Sequence, residues 1–162
     1  MTERLWAPWR LEYVQGGTDE PGCLFCAKAA SADDEADLVV RRGERAFALM
    51  NLYPYSNGHL MVAPYRHVAE PGGLDAAERA ELWNLLEQAL AALRSVMGPD
   101  GFNAGINLGR VAGAGVEDHL HLHVVPRWNG DTNFMPVLAD VKVMPEHIAR
   151  TAEKLRAAWP EA

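Results

Sequence analysis

His119, Leu120, His121, Leu122, His123, Val124 and Val125 set three imidazoles at every second position of an otherwise apolar run. Side chains two apart on a β-strand share a face, so this spacing predicts His119, His121 and His123 on one surface, with Leu120, Leu122 and Val124 turned toward a core. Imidazole titrates near neutral pH and can act as nucleophile, proton carrier or metal ligand. The competing reading is a solvent-facing strand or a metal-binding tract that happens to be rich in histidine. Three of the chain's six histidines stand here, which favours chemistry.

Cys23-Leu-Phe-Cys26 is a second constellation and holds both cysteines of the chain. A C-x-x-C pair suits a metal or a redox dithiol better than a disulfide framework, and two further ligands elsewhere would decide for a metal. Between Asn107 and Asp118 the chain is glycine-rich, with Gly109, Gly113 and Gly115 just ahead of the histidines. Glycine lets main-chain N–H groups approach phosphate oxygens without obstruction, although a tight turn has the same composition.

These residues need elements to hold them. Residues 17–22 and 31–37 are rich in Gly, Pro, Ser, Asp and Glu, so the cysteine pair lies in a short segment bracketed by loops. Residues 38–50 predict two short strands joined at Gly43, and a third follows from His59 to Pro64 after the turn-forming stretch 54–58. The clearest helix runs over 75–97, where Leu82, Leu85, Leu86, Ala89, Leu90 and Leu93 repeat at helical spacing. Asp75 with Glu78 reads as its capping box and Gly98-Pro99 as its stop. A fourth strand over 102–108, the histidine strand over 119–126 and a terminal helix over 146–158 opened by Pro145 complete the chain. The sum is an α+β architecture, a mainly antiparallel sheet with one long and one C-terminal helix packed on it.

At 162 residues the chain suits a single domain, 1–162, divided into an N-terminal segment 1–37, a core 38–137 and a C-terminal helical part 138–162. A hydrophobic content of 49% and a charged content of 23% are those of a globular protein. The formal charge of −7 argues against nucleic acid or an anionic membrane as partner, but not against a small anionic ligand held by a few N–H groups. No apolar run approaches the roughly 18 residues of a membrane span, and the N-terminus lacks a signal-peptide pattern, so the expected location is cytoplasmic.

The histidine run, Asn51 to Val62, Pro64 to His67, Gly101 to Gly109 and Val125 to Phe134 together resemble the histidine triad family of nucleotide-binding hydrolases and transferases. Within it, the likeness is to bacterial diadenosine tetraphosphate phosphorylases. The resemblance implies that His121 attacks the α-phosphorus of a nucleotide and forms a nucleotidyl-histidine intermediate, with His123 on the phosphate oxygens. It implies Asn51 on the ribose hydroxyls, His59 beside the pocket and Asn107 as a phosphate-side amide. The commoner family pattern places Gln and Ser or Thr ahead of the histidines; Gly115 and Val116 stand there in this chain, which shifts weight to Asn107 and to the glycine-rich loop with Gly113 and Gly115. Arg127 and Lys142 are the candidates for distal phosphates, and Asn133 with Lys142 for an acceptor phosphate.

In relatives with an early cysteine pair, and in the related galactose-1-phosphate uridylyltransferases, zinc is held by two cysteines and two histidines. The matching positions are Cys23, Cys26, His67 and His119, a filled tetrahedron and hence a structural metal. The expected activity is conversion of diadenosine tetraphosphate and phosphate to ADP and ATP. The rivals are a hydrolase of dinucleoside polyphosphates or nucleoside phosphoramidates, and a catalytically slow nucleotide-binding protein. The family also pairs protomers into one continuous sheet, so a homodimer is expected, with Trp6, Trp9 and Tyr13 across its interface.

Overall fold

The structure, a computed structural model, describes residues 22–131 and 146–161. Trp6, Trp9, Tyr13, Asn133, Lys142 and Pro145 lie outside the described residues. In order, the elements are α1 (Leu24–Ala30), β1 (Val39–Arg42), β2 (Ala46–Met50), β3 (Leu60–Pro64), α2 (Ala76–Met97), β4 (Gly101–Ile106), β5 (Leu122–Arg127) and α3 (Ile148–Ala157). The five strands form one sheet in the order β1-β2-β3-β5-β4. Every neighbouring pair is antiparallel.

Alternation decides what each face of the sheet meets. Ala46, Ala48, Leu60, Val62, Leu122 and Val124 turn to the face covered by α2 and α3, where the main core includes Leu85, Ala89, Leu93 and Leu155. Phe47, Leu49, Met61 and Ala63 turn to the opposite face and close with Phe25 of α1 into a smaller cluster. β2 and β3 are buried throughout, whereas β4 is exposed over most of its length at the sheet's edge.

The long helix forms as its sequence predicts. Asp75 caps it by accepting from the Glu78 N–H, and Glu78 answers by accepting from the Asp75 N–H; the left-handed Gly98 ends it. The terminal helix is shorter than expected at its start: His147 is the N-cap, and its ring accepts from the Ala149 N–H. The cysteine segment, expected as a short stretch bracketed by loops, is a helix, α1. Its C-terminal carbonyls are gathered by Arg42, which donates to Lys28 O at 2.9 Å, Ala29 O at 3.1 Å and Ser31 O at 2.9 Å. Seven residues cannot hold a helix by propensity, so this tertiary capping and the burial of Phe25 stabilise it.

Leu38 is the one non-glycine residue with positive φ among the described residues, at +57°. A side chain in this region costs about 1–2 kcal/mol. Its backbone is held from both sides: its N–H donates to Glu35 O at 3.2 Å and its carbonyl accepts from the Met50 N–H at 2.9 Å.

Candidate active site

Pro64 explains why the histidine strand is paired differently at its start. Ladder pairing between β3 and β5 runs Leu60 with Val124, Met61 with His123 and Val62 with Leu122, then stops. The next N–H directed at this neighbour belongs to position 64, and proline has none. The regular strand therefore begins at Leu122 rather than at His119, and Leu120 instead donates its N–H to Val68 O at 2.6 Å. The Pro64 carbonyl is taken by the ring of His119, Nε2 to O at 2.9 Å.

All three histidines share the α1 face of the sheet, as the alternation predicts, and all three are buried. Their hydrogen bonds assign their protons. His119 donates from Nε2 to Pro64, which leaves the Nδ1 lone pair facing the two thiols. His121 donates from Nδ1 to the His119 carbonyl at 2.8 Å, which puts the ring's basic lone pair on Nε2. Burial pushes the His121 imidazole below its usual pKa, against a weaker opposing pull from that carbonyl, so the ring is neutral and able to attack at neutral pH. Phe25 stacks on this ring at 4.8 Å between centroids.

The tautomer of His123 is set from further away. A main-chain N–H is always a donor, and that of Tyr55 points at His59 Nδ1 at 3.0 Å. His59 therefore carries its proton on Nε2 and donates it to His123 Nδ1 at 3.0 Å. His123 in turn carries its proton on Nε2, the form that can donate to an anionic oxygen. His59 is fully buried, so the pair is a fixed internal relay.

A cavity of about 170 Å³ opens on His121 and His123. Asn51, at the end of β2, lines it together with Gly113 and Gly115. Gly113 is left-handed at φ +89°, a conformation the glycine-rich loop needs in order to bend over the cavity. On the far side of His123 lies an open hollow of about 330 Å³, lined by Tyr55, Asn103, Asn107 and Arg127. Arg127 is held there by Asp131 and by Asn103 Oδ1 at 3.0 Å. The predicted binding residues thus separate into two groups, joined by His123, which lines both spaces. Phe25, Tyr55, Lys28 and Asp37 belong to these walls without having been singled out from sequence.

Cys23, Cys26, His67 and His119 converge so that their ligand atoms all lie within 4.8 Å of one another. Cys23 Sγ is 3.2 Å and Cys26 Sγ 3.6 Å from His119 Nδ1, and Cys26 Sγ is 3.4 Å from His67 Nδ1. Bond lengths of about 2.3 Å to sulfur and about 2.0 Å to nitrogen around a tetrahedral zinc give S-to-N edges near ~3.5 Å. These three separations and the donor set of two thiols and two imidazole nitrogens fit a zinc ion. The carbonyl on the other ring nitrogen of His119 is the outer partner that a metal-bound histidine usually has. Both cysteines are free thiols. Burial and then the adjacent Cys23 push the Cys26 thiol above its usual pKa, a tendency that a bound cation would reverse.

The five-stranded sheet, the histidines across it and the pocket beside them are those of a histidine triad protein, and the HIT domain family matches residues 33–130. The chain belongs to this family. It is similar to the AP-4-A phosphorylase of Mycobacterium tuberculosis, 41% identical over 165 residues that cover 97% of this chain and 84% of that protein. It is also 29% identical to an adenosine 5'-monophosphoramidase of Schizosaccharomyces pombe, over 82% of this chain and 95% of the relative. Among solved structures, a zinc-bound histidine triad family protein from Mycobacterium smegmatis superposes with a TM-score of 0.67 at 27% identity, covering 85% of this chain and 92% of its own.

Proposed function

We propose that this protein is a nucleotidyltransferase that converts diadenosine tetraphosphate and phosphate to ADP and ATP, with His121 as nucleophile. The observation that carries the reading is the hydrogen bond from His121 Nδ1 to its neighbour's carbonyl, which commits Nε2 to attack on the cavity side. In the first step a bond forms between Nε2 and the α-phosphorus while the bridging P–O bond breaks, and ATP leaves. In the second step a phosphate oxygen attacks the same phosphorus, the P–N bond breaks and ADP leaves. His123 donates from Nε2 to the phosphate oxygens, and Asn51 holds the ribose. Asn107 and Arg127 take the distal phosphates in the second hollow, and Asn133 with Lys142 the acceptor. Similarity to the tuberculosis phosphorylase supports this choice of acceptor.

Cys23, Cys26, His67 and His119 would hold one zinc ion, which when bound supplies a structural cross-link between α1 and the histidine strand and no open coordination site. The fit of their spacing and the zinc-bound relative support this assignment. The exposed edge strand β4 supports a homodimer in which the sheet continues into a second copy. The C-x-x-C pair, read as metal ligands rather than as part of a disulfide framework, supports a cytoplasmic location. Among the described residues no helix is long and apolar enough to cross a membrane.

The test is product analysis with diadenosine tetraphosphate, with and without phosphate. Equal amounts of ADP and ATP, formed only when phosphate is present, are expected. AMP and ATP released at the same rate without phosphate would make the protein a hydrolase. His121→Ala should lower turnover by several orders of magnitude with nucleotide affinity largely kept, and the unmodified protein should yield a nucleotide-bearing His121 on rapid quenching.

A further inference from the structure

The cavity beside His121 runs across the sheet, and its far end is built differently from its near end. A single row of residues on one face crosses the strands: His123 pairs with Met61, Met61 with Leu49 and Leu49 with Val39. Three steps of about 4.8 Å make that row roughly 14 Å long. At one end stand the imidazoles; beyond the other, at the start of β1, stand Asp37 and Leu38. Between them the walls are apolar, with Phe25, Leu49, Met61 and Val116. Among the described residues, Lys28 and Asp37 are the only lysine, arginine or acidic residues along this lining.

These two are paired. Lys28 Nζ lies 3.1 Å from Asp37 Oδ1 and 3.3 Å from the Asp37 carbonyl, and both side chains are only 22% exposed. Lys28 stands one turn beyond Phe25 on α1, so the helix that stacks on the nucleophile also presents the ammonium at the far end. Asp37 precedes the strained Leu38, and the register of β1 slips between Val39 and Arg41. A non-glycine residue held left-handed by the packing around it is a mark of a place where geometry is set for use. Here it fixes the direction in which the chain carrying Asp37 meets the cavity.

We propose that the Lys28–Asp37 pair is the base-reading element of the site and selects purine over pyrimidine nucleotides. The inference rests on the nucleotidyl-transfer reading above. With the phosphate at His121 and His123 and the ribose at Asn51, the base lies in the apolar middle of the cavity and its outer edge points at the pair. A carboxylate beside an ammonium complements an acceptor beside a donor, which adenine presents through N1 and the 6-amino group and guanine through O6 and N1–H. Pyrimidines carry the same pattern on a single ring and fall short of the pair by the width of the missing ring. The pair stays satisfied internally with either class of base, so discrimination comes from the hydrogen bonds that a purine edge gains there and a pyrimidine cannot reach.

The experiment compares kcat/KM for dinucleoside tetraphosphates bearing adenine, guanine, cytosine or uracil on the full-length protein and on Asp37→Asn and Lys28→Met. The unmodified protein should prefer both purines by about tenfold or more, and each variant should lose about tenfold on purines while pyrimidines change less than about twofold. An equal fall for all four bases, or no fall, overturns the proposal and leaves the pair a tether for α1. Thermal unfolding and metal content separate a misfolded variant from a misreading one. If no dinucleotide is turned over, the activity proposed above has failed, and calorimetric binding of AMP against CMP then decides the pair: a purine preference lost in both variants supports it, and equal affinities in all three proteins overturn it.

Discussion

His59 offers a test that separates hydrogen-bond roles within one side chain. Its Nδ1 accepts from the Tyr55 N–H and its Nε2 donates to His123, each at 3.0 Å. Glutamine places an amide nitrogen near the position of Nε2, so His59→Gln keeps a donor for His123 and loses the acceptor for Tyr55. Asparagine places its oxygen near the position of Nδ1, so His59→Asn does the reverse. Each substitution leaves one buried group without its partner, at a cost of about 1–3 kcal/mol in stability. Only His59→Asn removes the bond that fixes the His123 tautomer. A bond worth about 1–1.5 kcal/mol corresponds to a roughly five- to twelve-fold fall in the population of the productive form, and in kcat with it. Steady-state kinetics with diadenosine tetraphosphate and phosphate should therefore show kcat falling by about tenfold in His59→Asn and by less than about threefold in His59→Gln, with KM changed little in either. Similar thermal shifts should accompany the two. If His59→Asn turns over as fast as His59→Gln or faster, the tautomer chain is wrong.

Two further outcomes are expected. Metal analysis of the purified protein should find about one zinc per chain, and Cys26→Ser should lose it along with several degrees of melting temperature, because an ion held only by the folded chain stabilises the fold; a metal-free protein with an intact Cys23–Cys26 disulfide after reducing purification would refute the site. Glu78 receives the Arg66 guanidinium at 2.9 and 2.6 Å and the Asp75 N–H at 2.8 Å, and Arg66 leads the causes that hold its pKa down at about 2 from an ordinary 4.5. Its contribution to stability is complete above the unfolded value and is lost as pH falls from 4.5 toward 2, so denaturant titrations should show Glu78→Gln less stable than the unmodified protein by about 1–2 kcal/mol at pH 7, a gap that closes near pH 2; a gap independent of pH would contradict this assignment.

What the sequence made legible were the periodic elements. The apolar stripe of α2, its Asp75–Glu78 box and the stop at Gly98 are local codes, each written within a few residues, and the structure has all of them. Alternation likewise placed the three histidines on one face and their leucines on the other. The ladder's early end was harder to see, because it depends on Pro64 standing opposite the histidine segment, and pairing across strands is not a local property. Nor did any local signal mark α1 as a helix: it is stabilised by Arg42, eleven or more residues away in sequence, and by burial of Phe25. The proposed metal ligands were readable only through family likeness, since 96 positions separate Cys23 from His119. The division of Asn51 and Asn107 between two spaces has no sequence signature at all; it follows from where β2 and β4 end relative to His123.

His119 is the residue through which the two constellations act on each other. Its ring offers one nitrogen to the thiols and the other to the Pro64 carbonyl, while its own carbonyl receives the His121 proton. A rotation of the ring would break the Pro64 bond, and a shift of the backbone would break the bond that assigns the His121 tautomer. Fixing the ring at both nitrogens restrains that backbone as well, in a stretch where no regular ladder does so. Phe25 adds a second restraint, since α1 carries it against both His119 and His121, at 5.1 and 4.8 Å. On the function proposed above, the metal cluster thereby bears on catalysis, because through His119 it sets the acceptor that decides which nitrogen of His121 attacks. The sheet could not supply that restraint itself, because the proline that ends its ladder is the same residue whose freed carbonyl anchors His119.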